Sequence, residues 1–199
     1  MNLPPDPYAA RLDIDYPDKV DHGLERLTTF FRVIWIIPIG IILSLIIETG
    51  IRGGLFVATT LMLLFRATYP RWWFNFGREL TRFEKRVGAY LLLLTDRYPS
   101  TVDEQSVHLE IDYPNVEQDL NRWLPLVKWL LAIPHYIVLA VLIPIAAVVS
   151  IIAWFAILFT GSYPRGLFNY VVGVFRWGLR VTSYAFLLVT DQYPPFSLK

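Results

Sequence analysis

Arginines recur every four residues in two stretches of the chain. Arg78, Arg82 and Arg86 follow one another at this spacing, and Arg176 and Arg180 repeat it later. Residues four apart lie on one face of an α-helix, so each stretch predicts a basic stripe. Because the planar guanidinium group suits phosphate, the stripes favour binding of lipid headgroups or anchoring of the topology. The candidate headgroup-binding residues are Arg71, Arg78, Arg82, Arg86, Arg165, Arg176 and Arg180.

His135 is the one side chain between Trp129 and Pro164 that titrates near neutral pH. An ionisable group in such an apolar stretch is a candidate intramembrane polar site. No carboxylate or second histidine stands at a ligand spacing from it, which favours a hydrogen-bonded packing role. The chain has no cysteine and shows no serine–histidine–aspartate grouping, phosphate loop or metal motif. We therefore expect no catalytic residues, no cofactor and no bound metal.

The stretch from Trp129 to Pro164 contains no charged residue. A single helix over it would be ~54 Å long at ~1.5 Å per residue, nearly twice the ~30 Å hydrocarbon core of a bilayer. Pro144 stands near its middle. These features predict a membrane hairpin over about 124–160, with a tight turn near residues 142–146.

The chain repeats itself with an offset of 94 to 97 residues. The repeated stretches include Leu12–Pro17 with Leu109–Pro114, Tyr69–Arg71 with Tyr163–Arg165, and Thr95–Pro99 with Thr190–Pro194. The sequence therefore predicts two copies of one unit, residues 1–100 and 107–199. Asp96 and Asp191 recur at corresponding places, which we interpret as helix-end hydrogen-bond acceptors.

Each unit predicts the same succession of elements. A short alternating run predicts a strand, and a helix kinked at Pro38 or Pro134 follows it. The first unit then predicts a hairpin over about 30–66, which could cross the bilayer or only dip into it. Amphipathic helices are predicted over about 70–94 and 164–189. These helices would lie in the membrane interface or pack on protein. The fold class is an all-α integral membrane protein of two tandem repeats.

The distribution of lysine and arginine predicts the orientation of the chain in the membrane. If both hairpins insert, 17 of the 18 lysines and arginines lie on the side of the termini, and Arg52 alone lies opposite. The positive-inside rule then places both termini of this multi-pass protein in the cytoplasm. A formal net charge of +1 gives no indication of nucleic-acid binding.

The second unit resembles a known family of bacterial membrane proteins. The resemblance is carried by Ile133-Pro134-His135, by Phe159-Thr160-Gly161-Ser162-Tyr163-Pro164-Arg165-Gly166-Leu167-Phe168, and by Thr190-Asp191-Gln192-Tyr193-Pro194-Pro195. These residues are similar to the domain of unknown function 4389, of which the first unit is a more divergent copy. The resemblance implies the bacterial inner membrane and supplies no activity.

We expect a protein without catalytic activity. It would act as a membrane scaffold, a lipid-organising module or an accessory subunit of a larger assembly. The expected partners are membrane lipids, including anionic phospholipid, and other copies or subunits. A subunit of a transporter or channel formed by several chains is the alternative, and a membrane enzyme is the third hypothesis.

Overall fold

The computed structural model describes residues 8–17, 24–48, 51–103 and 105–199, which are mostly helical. The first repeat contains β1 (Ala10–Ile14), α1 (Arg26–Trp35), α2 (Ile37–Glu48), α3 (Ile51–Leu61), a π-helical turn (Met62–Arg66) and α4 (Arg71–Leu91). The second contains β2 (Val107–Ile111), α5 (Val116–Asp119), α6 (Pro125–Leu131), α7 (Ile133–Thr160) and α8 (Arg165–Ala185).

The two predicted strands pair with each other across the repeats. They run antiparallel, and Leu12 faces Leu109, its own counterpart in the other repeat. Alternate residues of both strands are buried, as their period of two predicts. A contact between a residue and its own counterpart defines a two-fold relation. The sheet therefore lies on the approximate axis that relates the two halves.

The repeated Ile-Pro dipeptides separate two helices instead of kinking one. α1 ends at Trp35 and α2 begins at Ile37, with an angle of 44° between Arg26–Arg32 and Ile37–Ser44. α6 and α7 meet in the same way at Ala132. Proline lacks an N–H and is best tolerated in a first helical turn, so Pro38 and Pro134 become the second residues of new helices.

α7 corrects the predicted second hairpin. It is one continuous helix of 28 residues, and Pro144 lies inside it. The predicted turn near residues 142–146 is therefore wrong. That stretch contains no glycine or polar residue that favours a reversal, and one internal proline removes only one hydrogen bond. The chain reverses instead at Gly161, whose φ of 71° lies in the left-handed region that ends many helices.

The structure describes only part of the predicted first hairpin, because residues 49 and 50 of its tip lie outside the described residues. The returning segment is helical, and its π-helical turn ends at Ala67 with a φ of 47°. The predicted amphipathic helices are present as α4 and α8, each beginning directly after a proline. Both end a few residues earlier than predicted, because the chain turns at Leu93 and Leu188, where φ is positive.

α8 runs antiparallel to α7. Trp177 Nε1 donates to His135 Nδ1 at 3.0 Å, and the Tyr170 hydroxyl donates to the Leu142 carbonyl at 3.3 Å. The opposite side of α8 contacts β1. The layers therefore follow the order β1, α8, α7, and α8 packs on protein on both sides. The sequence pattern left open whether this helix lies in the membrane interface or packs on protein, and α8 has the second arrangement.

α7 is the one described helix that is long and apolar enough by itself to cross a membrane. α1 and α2 together satisfy the same criteria if the bent pair counts as one span. Only 22% of the 18-residue apolar segment of α7 is buried, so most of that segment faces outward.

Candidate functional site

Each repeat buries one cation beside one aspartate. Lys128 Nζ lies 2.6 Å from Asp191 Oδ1 and donates to the Thr190 carbonyl at 2.7 Å. In the first repeat Arg32 pairs with Asp96 in the same way. The exposed fraction of both cations is at most 2%. The two pairs occupy corresponding positions, so the fold repeats the same ionic contact in both units.

The aspartates also accept hydrogen bonds from backbone N–H groups shortly before α1 and α6. Asp96 accepts from the Glu25 backbone N–H at 2.9 Å and from the Thr28 hydroxyl at 2.7 Å. Asp191 accepts from the Asn121 backbone N–H at 2.5 Å. The predicted hydrogen bonds are therefore present, but they connect the end of each unit to its beginning. The cation side of the pairs was missed, although Arg32 and Lys128 recur at corresponding positions.

Burial makes these pairs important for the fold. Burial lowers the pKa of Lys128, and the contact with Asp191 opposes that change. Removing one partner of a buried pair leaves an uncompensated charge, which costs about 3–5 kcal/mol. Each carboxylate therefore contacts both a buried cation and a backbone N–H group.

The predicted headgroup arginines are distributed over three environments. Arg86 and Arg180 are buried, and they donate to the carbonyls of Ser100 and Ser197 respectively. Burial lowers the pKa of Arg86. Arg78 pairs with Glu79 at 3.1 Å. A continuous basic stripe exposed to lipid is therefore absent from these described helices, because its members bind other parts of the chain.

Arg82 and Arg176 connect each long helix to the strand of the other repeat. Arg176 Nε donates to the Leu12 carbonyl at 2.8 Å, and its Nη2 donates to Asp13 at 2.6 Å. Arg82 donates to the Leu109 carbonyl at 3.2 Å. These reciprocal contacts hold the sheet on the two-fold axis.

Arg71 and Arg165 are exposed and lie over tyrosine rings of the opposite repeat. The Arg71 guanidinium is 4.6 Å from the centre of the Tyr113 ring, and that of Arg165 is 4.7 Å from the Tyr16 ring. Tyr16 and Tyr113 in turn donate to the carbonyls of Tyr163 and Tyr69. The repeated Asp-Tyr-Pro sequence thus serves as a connection between repeats, a role that the sequence pattern did not reveal.

His135 lies fully buried among aromatic side chains. Its Nδ1 accepts from Trp177, so the neutral ring carries its proton on Nε2. The ring stacks on Phe196 with 4.1 Å between ring centres. Within the part of the chain that the structure describes, Nε2 has no hydrogen-bond partner. That part also contains no group of three histidine, cysteine or acidic residues that could hold a metal ion.

Two segments of the chain, residues 26–102 and 123–197, match the family described as Domain of unknown function (DUF4389). The chain belongs to this family. The family unit occurs twice in tandem, and each copy contains the buried cation and its aspartate, whereas β1 and β2 lie outside both matches. No curated protein and no solved structure matches the chain.

Proposed function

We propose that the chain is a non-enzymatic protein of the bacterial inner membrane. It acts as a lipid-organising scaffold or as an accessory subunit of a larger assembly. Its partners are membrane lipids, including anionic phospholipid, and further copies or other subunits. The observation that supports this proposal is the exposed apolar face of α7.

That face extends along the whole helix. Ile137, Val148 and Phe159 follow one another at three-turn intervals and are 64%, 56% and 77% exposed. The opposite face, which includes Ala146 and Ile157, is buried. Soluble proteins rarely expose contiguous apolar patches beyond about 300–600 Å². In α7 such an apolar face recurs every three turns over 28 residues, which favours contact with lipid.

The two-fold relation limits how α7 can lie in a bilayer. Its first turn follows the Lys128 pair, and its last turns lie beside the Arg32 pair, because Trp154 Nε1 donates to the Thr29 carbonyl at 3.1 Å. Between Ile133 and Trp154, α7 therefore joins two places that the axis relates, over ~32 Å at ~1.5 Å per residue. The sheet lies on that axis, between them.

If α7 crossed the bilayer, the sheet would lie near the depth of the membrane centre. Its strands carry Arg11, Asp13 and Glu110, whose side chains retain exposure to the surroundings. Each ionised side chain at that depth costs at least ~2.5 kcal/mol. The open edges of a two-stranded sheet would also leave N–H and C=O groups unsatisfied in hydrocarbon. We infer that α7 lies along the membrane plane instead.

This orientation agrees with the layer order. A helix about 10 Å in diameter fits within one leaflet, which is about half of the ~30 Å hydrocarbon core. The sheet, α4 and α8 then lie towards the cytoplasm with both termini, where the positive-inside rule favours lysine and arginine. Among the seven predicted headgroup residues, Arg71 and Arg165 are the exposed ones and are best placed to meet phosphate.

Cysteine labelling tests the proposal, because the native chain has no cysteine. Single cysteines replace Gly53 and Lys199, and intact spheroplasts are treated with a membrane-impermeant maleimide. We expect both variants to fractionate with membranes and to react only after permeabilisation. Labelling of Gly53→Cys in intact spheroplasts would show that the first hairpin crosses the bilayer and would support the crossing hairpins. A chain recovered in the soluble fraction would overturn the proposal as a whole.

The same experiment separates this proposal from the transporter or channel. A solute path needs elements that cross the bilayer, and an in-plane α7 supplies none. Labelling of residue 53 from outside would therefore return the transporter alternative to consideration.

A further inference from the structure

The C-terminal segment, residues 194–199, covers the buried ring of His135. The Phe196 ring stacks on the imidazole with 4.1 Å between ring centres and an angle of 18° between the ring planes. Phe196 is itself 54% exposed, so it forms the outer layer over the histidine. On the inner side Trp177 Nε1 donates to His135 Nδ1 at 3.0 Å. His135 is therefore enclosed between α8 and this segment.

The segment belongs to no helix or strand, so it can leave without breaking an element of the fold. Its contacts with α8 include a hydrogen bond from Arg180 to the Ser197 carbonyl, which is long at 3.5 Å. They also include the close approach of the Leu198 carbonyl to Gly173. The covering of His135 is thus held mainly by packing.

The enclosed site suits only the neutral form of His135. Since Nε2 already carries the proton of the neutral ring, an added proton goes to Nδ1. That proton would face the N–H of Trp177, so the hydrogen bond between the two rings would be lost. The imidazolium would also be fully buried, and the surrounding aromatic rings attract a cation weakly compared with the water that it loses.

The described charged groups around His135 already have other partners. The titratable side chains on α6, α7, α8, the chain after α8 and the neighbouring N-terminal segment are Tyr8, Lys128, Tyr136, Arg165, Tyr170, Arg176, Arg180, Tyr184, Asp191, Tyr193 and Lys199. Asp191 is the one carboxylate side chain among these described groups, and it pairs with Lys128 at 2.6 Å. It is therefore not free to compensate a charge on His135.

We propose that protonation of His135 releases residues 194–199 from α7 and α8, so that this segment is a pH-sensitive strap. After release, water can accept hydrogen bonds from both ring N–H groups. The released histidine titrates near its ordinary pKa of about 6.5. The packed state is therefore unaffected above this pH, and below it the ratio of released to packed chains rises about tenfold per pH unit. Ile39 occupies the corresponding position of the first half, so the response belongs to the second half and does not depend on the membrane location.

Exchange of the Trp177 indole N–H measures the opening, because this group is bonded to His135 in the packed state. The full chain is labelled with 15N-tryptophan in mild detergent, and the resonance is assigned by its loss in Trp177→Phe. The exchange rate of N-acetyltryptophanamide divided by that of Trp177 at each pH gives a protection factor. We expect this factor to fall about 90-fold between pH 7.5 and 4.5. A constant factor over this range would overturn the proposal.

His135→Gln keeps an acceptor for Trp177 and removes the titrating ring, so its protection factor should not change with pH. His135→Ile reproduces the first half, should behave in the same way, and serves if the glutamine variant does not fold. His108→Gln is the matched control, at a histidine on β2 that bonds Asp15 at 2.9 Å, and it should retain the native response. A native response in either His135 variant would show that another group titrates and would also overturn the proposal.

A nitroxide on Lys199→Cys reports whether the segment itself moves, because the native chain has no cysteine. The ratio of mobile to immobile label should rise over the same pH range in the native background. It should stay constant when His135→Gln is added. Opening at Trp177 without a change in the motion of the label would contradict release of the segment.

Discussion

The two repeats share their ionic contacts and differ in what lies beside them. Arg32 has two carbonyl acceptors besides Asp96 and lines a cavity of about 390 Å³, whereas Lys128 has one carbonyl acceptor besides Asp191. At the positions that correspond to the cavity-lining residues Ser150 and Leu92, Phe56 and Phe186 pack together. The comparison indicates that the cation–aspartate pair maintains the fold of each unit. The side chains around the two pairs differ, and those beside Arg32 leave a cavity.

The largest expected effect comes from the aspartates. Asp96→Ala and Asp191→Ala should each lower the free energy of unfolding by about 3–5 kcal/mol, because each leaves a buried cation without its carboxylate. Thermal unfolding in mild detergent measures both variants. Asp103→Ala, which removes an exposed carboxylate, is the control. A loss below about 1 kcal/mol, the value of a surface pair, would show that these contacts do not maintain the units.

A smaller effect is expected at Gly173, whose counterpart in the first half is Glu79. A Cβ atom at Gly173 would lie 2.6 Å from the Leu198 carbonyl oxygen, so Gly173→Ala forces the C-terminal segment away from α8. We expect a loss of about 1–3 kcal/mol in thermal unfolding. Gly166→Ala, in the same helix and in open space, should stabilise by up to about 1 kcal/mol. Equal effects of the two variants would contradict the packing of this segment.

The arginine contacts with the strands should show the next difference. Arg176 bonds both a carbonyl and the carboxylate of Asp13, whereas the longer Arg82 contact reaches only a carbonyl of the strand. Since these side chains are partly exposed, we expect losses of about 1 kcal/mol for Arg176→Ala and less for Arg82→Ala. Hydrogen exchange of the β1 amides reports the same order. A larger loss of stability for Arg82→Ala than for Arg176→Ala would contradict the order of contact strengths that the geometry indicates.

The smallest effect is expected for Leu92→Phe. Leu92 lines the cavity beside Arg32, so the larger ring enters existing space and the free energy of unfolding should change by less than about 0.5 kcal/mol. Phe186 at the corresponding position is 41% exposed and packs edge to face on Phe56, so Phe186→Leu should cost about 1 kcal/mol through loss of this ring contact. Thermal unfolding of the two variants decides the point, and a large loss for Leu92→Phe would mean that the first half is already filled.

Local patterns predicted the elements well. The alternating strands, the long helices after Pro70 and Pro164, and the tandem units were all readable, because each depends on residues near in sequence. The Ile-Pro dipeptides were recognised as interruptions, although they separate two helices where one kinked helix was expected. The structure shows that the two strands pair between repeats, which no local pattern determines.

Long-range contacts account for the errors. The hairpin expected at residues 142–146 came from comparing length with bilayer thickness, and that comparison assumes a helix that crosses. The side-by-side packing of α7 with α8 keeps the helix continuous through Pro144. Similarly, the spacing of Arg86 and Arg180 placed them on one face, but it could not show that this face meets carbonyls of the chain. The ion pairs join residues more than 60 positions apart, so only the recurrence of both partners indicated them.

The depth of α7 in the membrane tests the central claim most directly. Nitroxide labels on single cysteines at Ile137, Val148 and Phe159 share one face at intervals of three turns, and power saturation in vesicles measures the depth of each. The in-plane orientation predicts three equal depths. A helix that crosses the bilayer would place residue 148 deepest, with neighbouring labels displaced by up to ~16 Å along the helix, and that result would contradict the account.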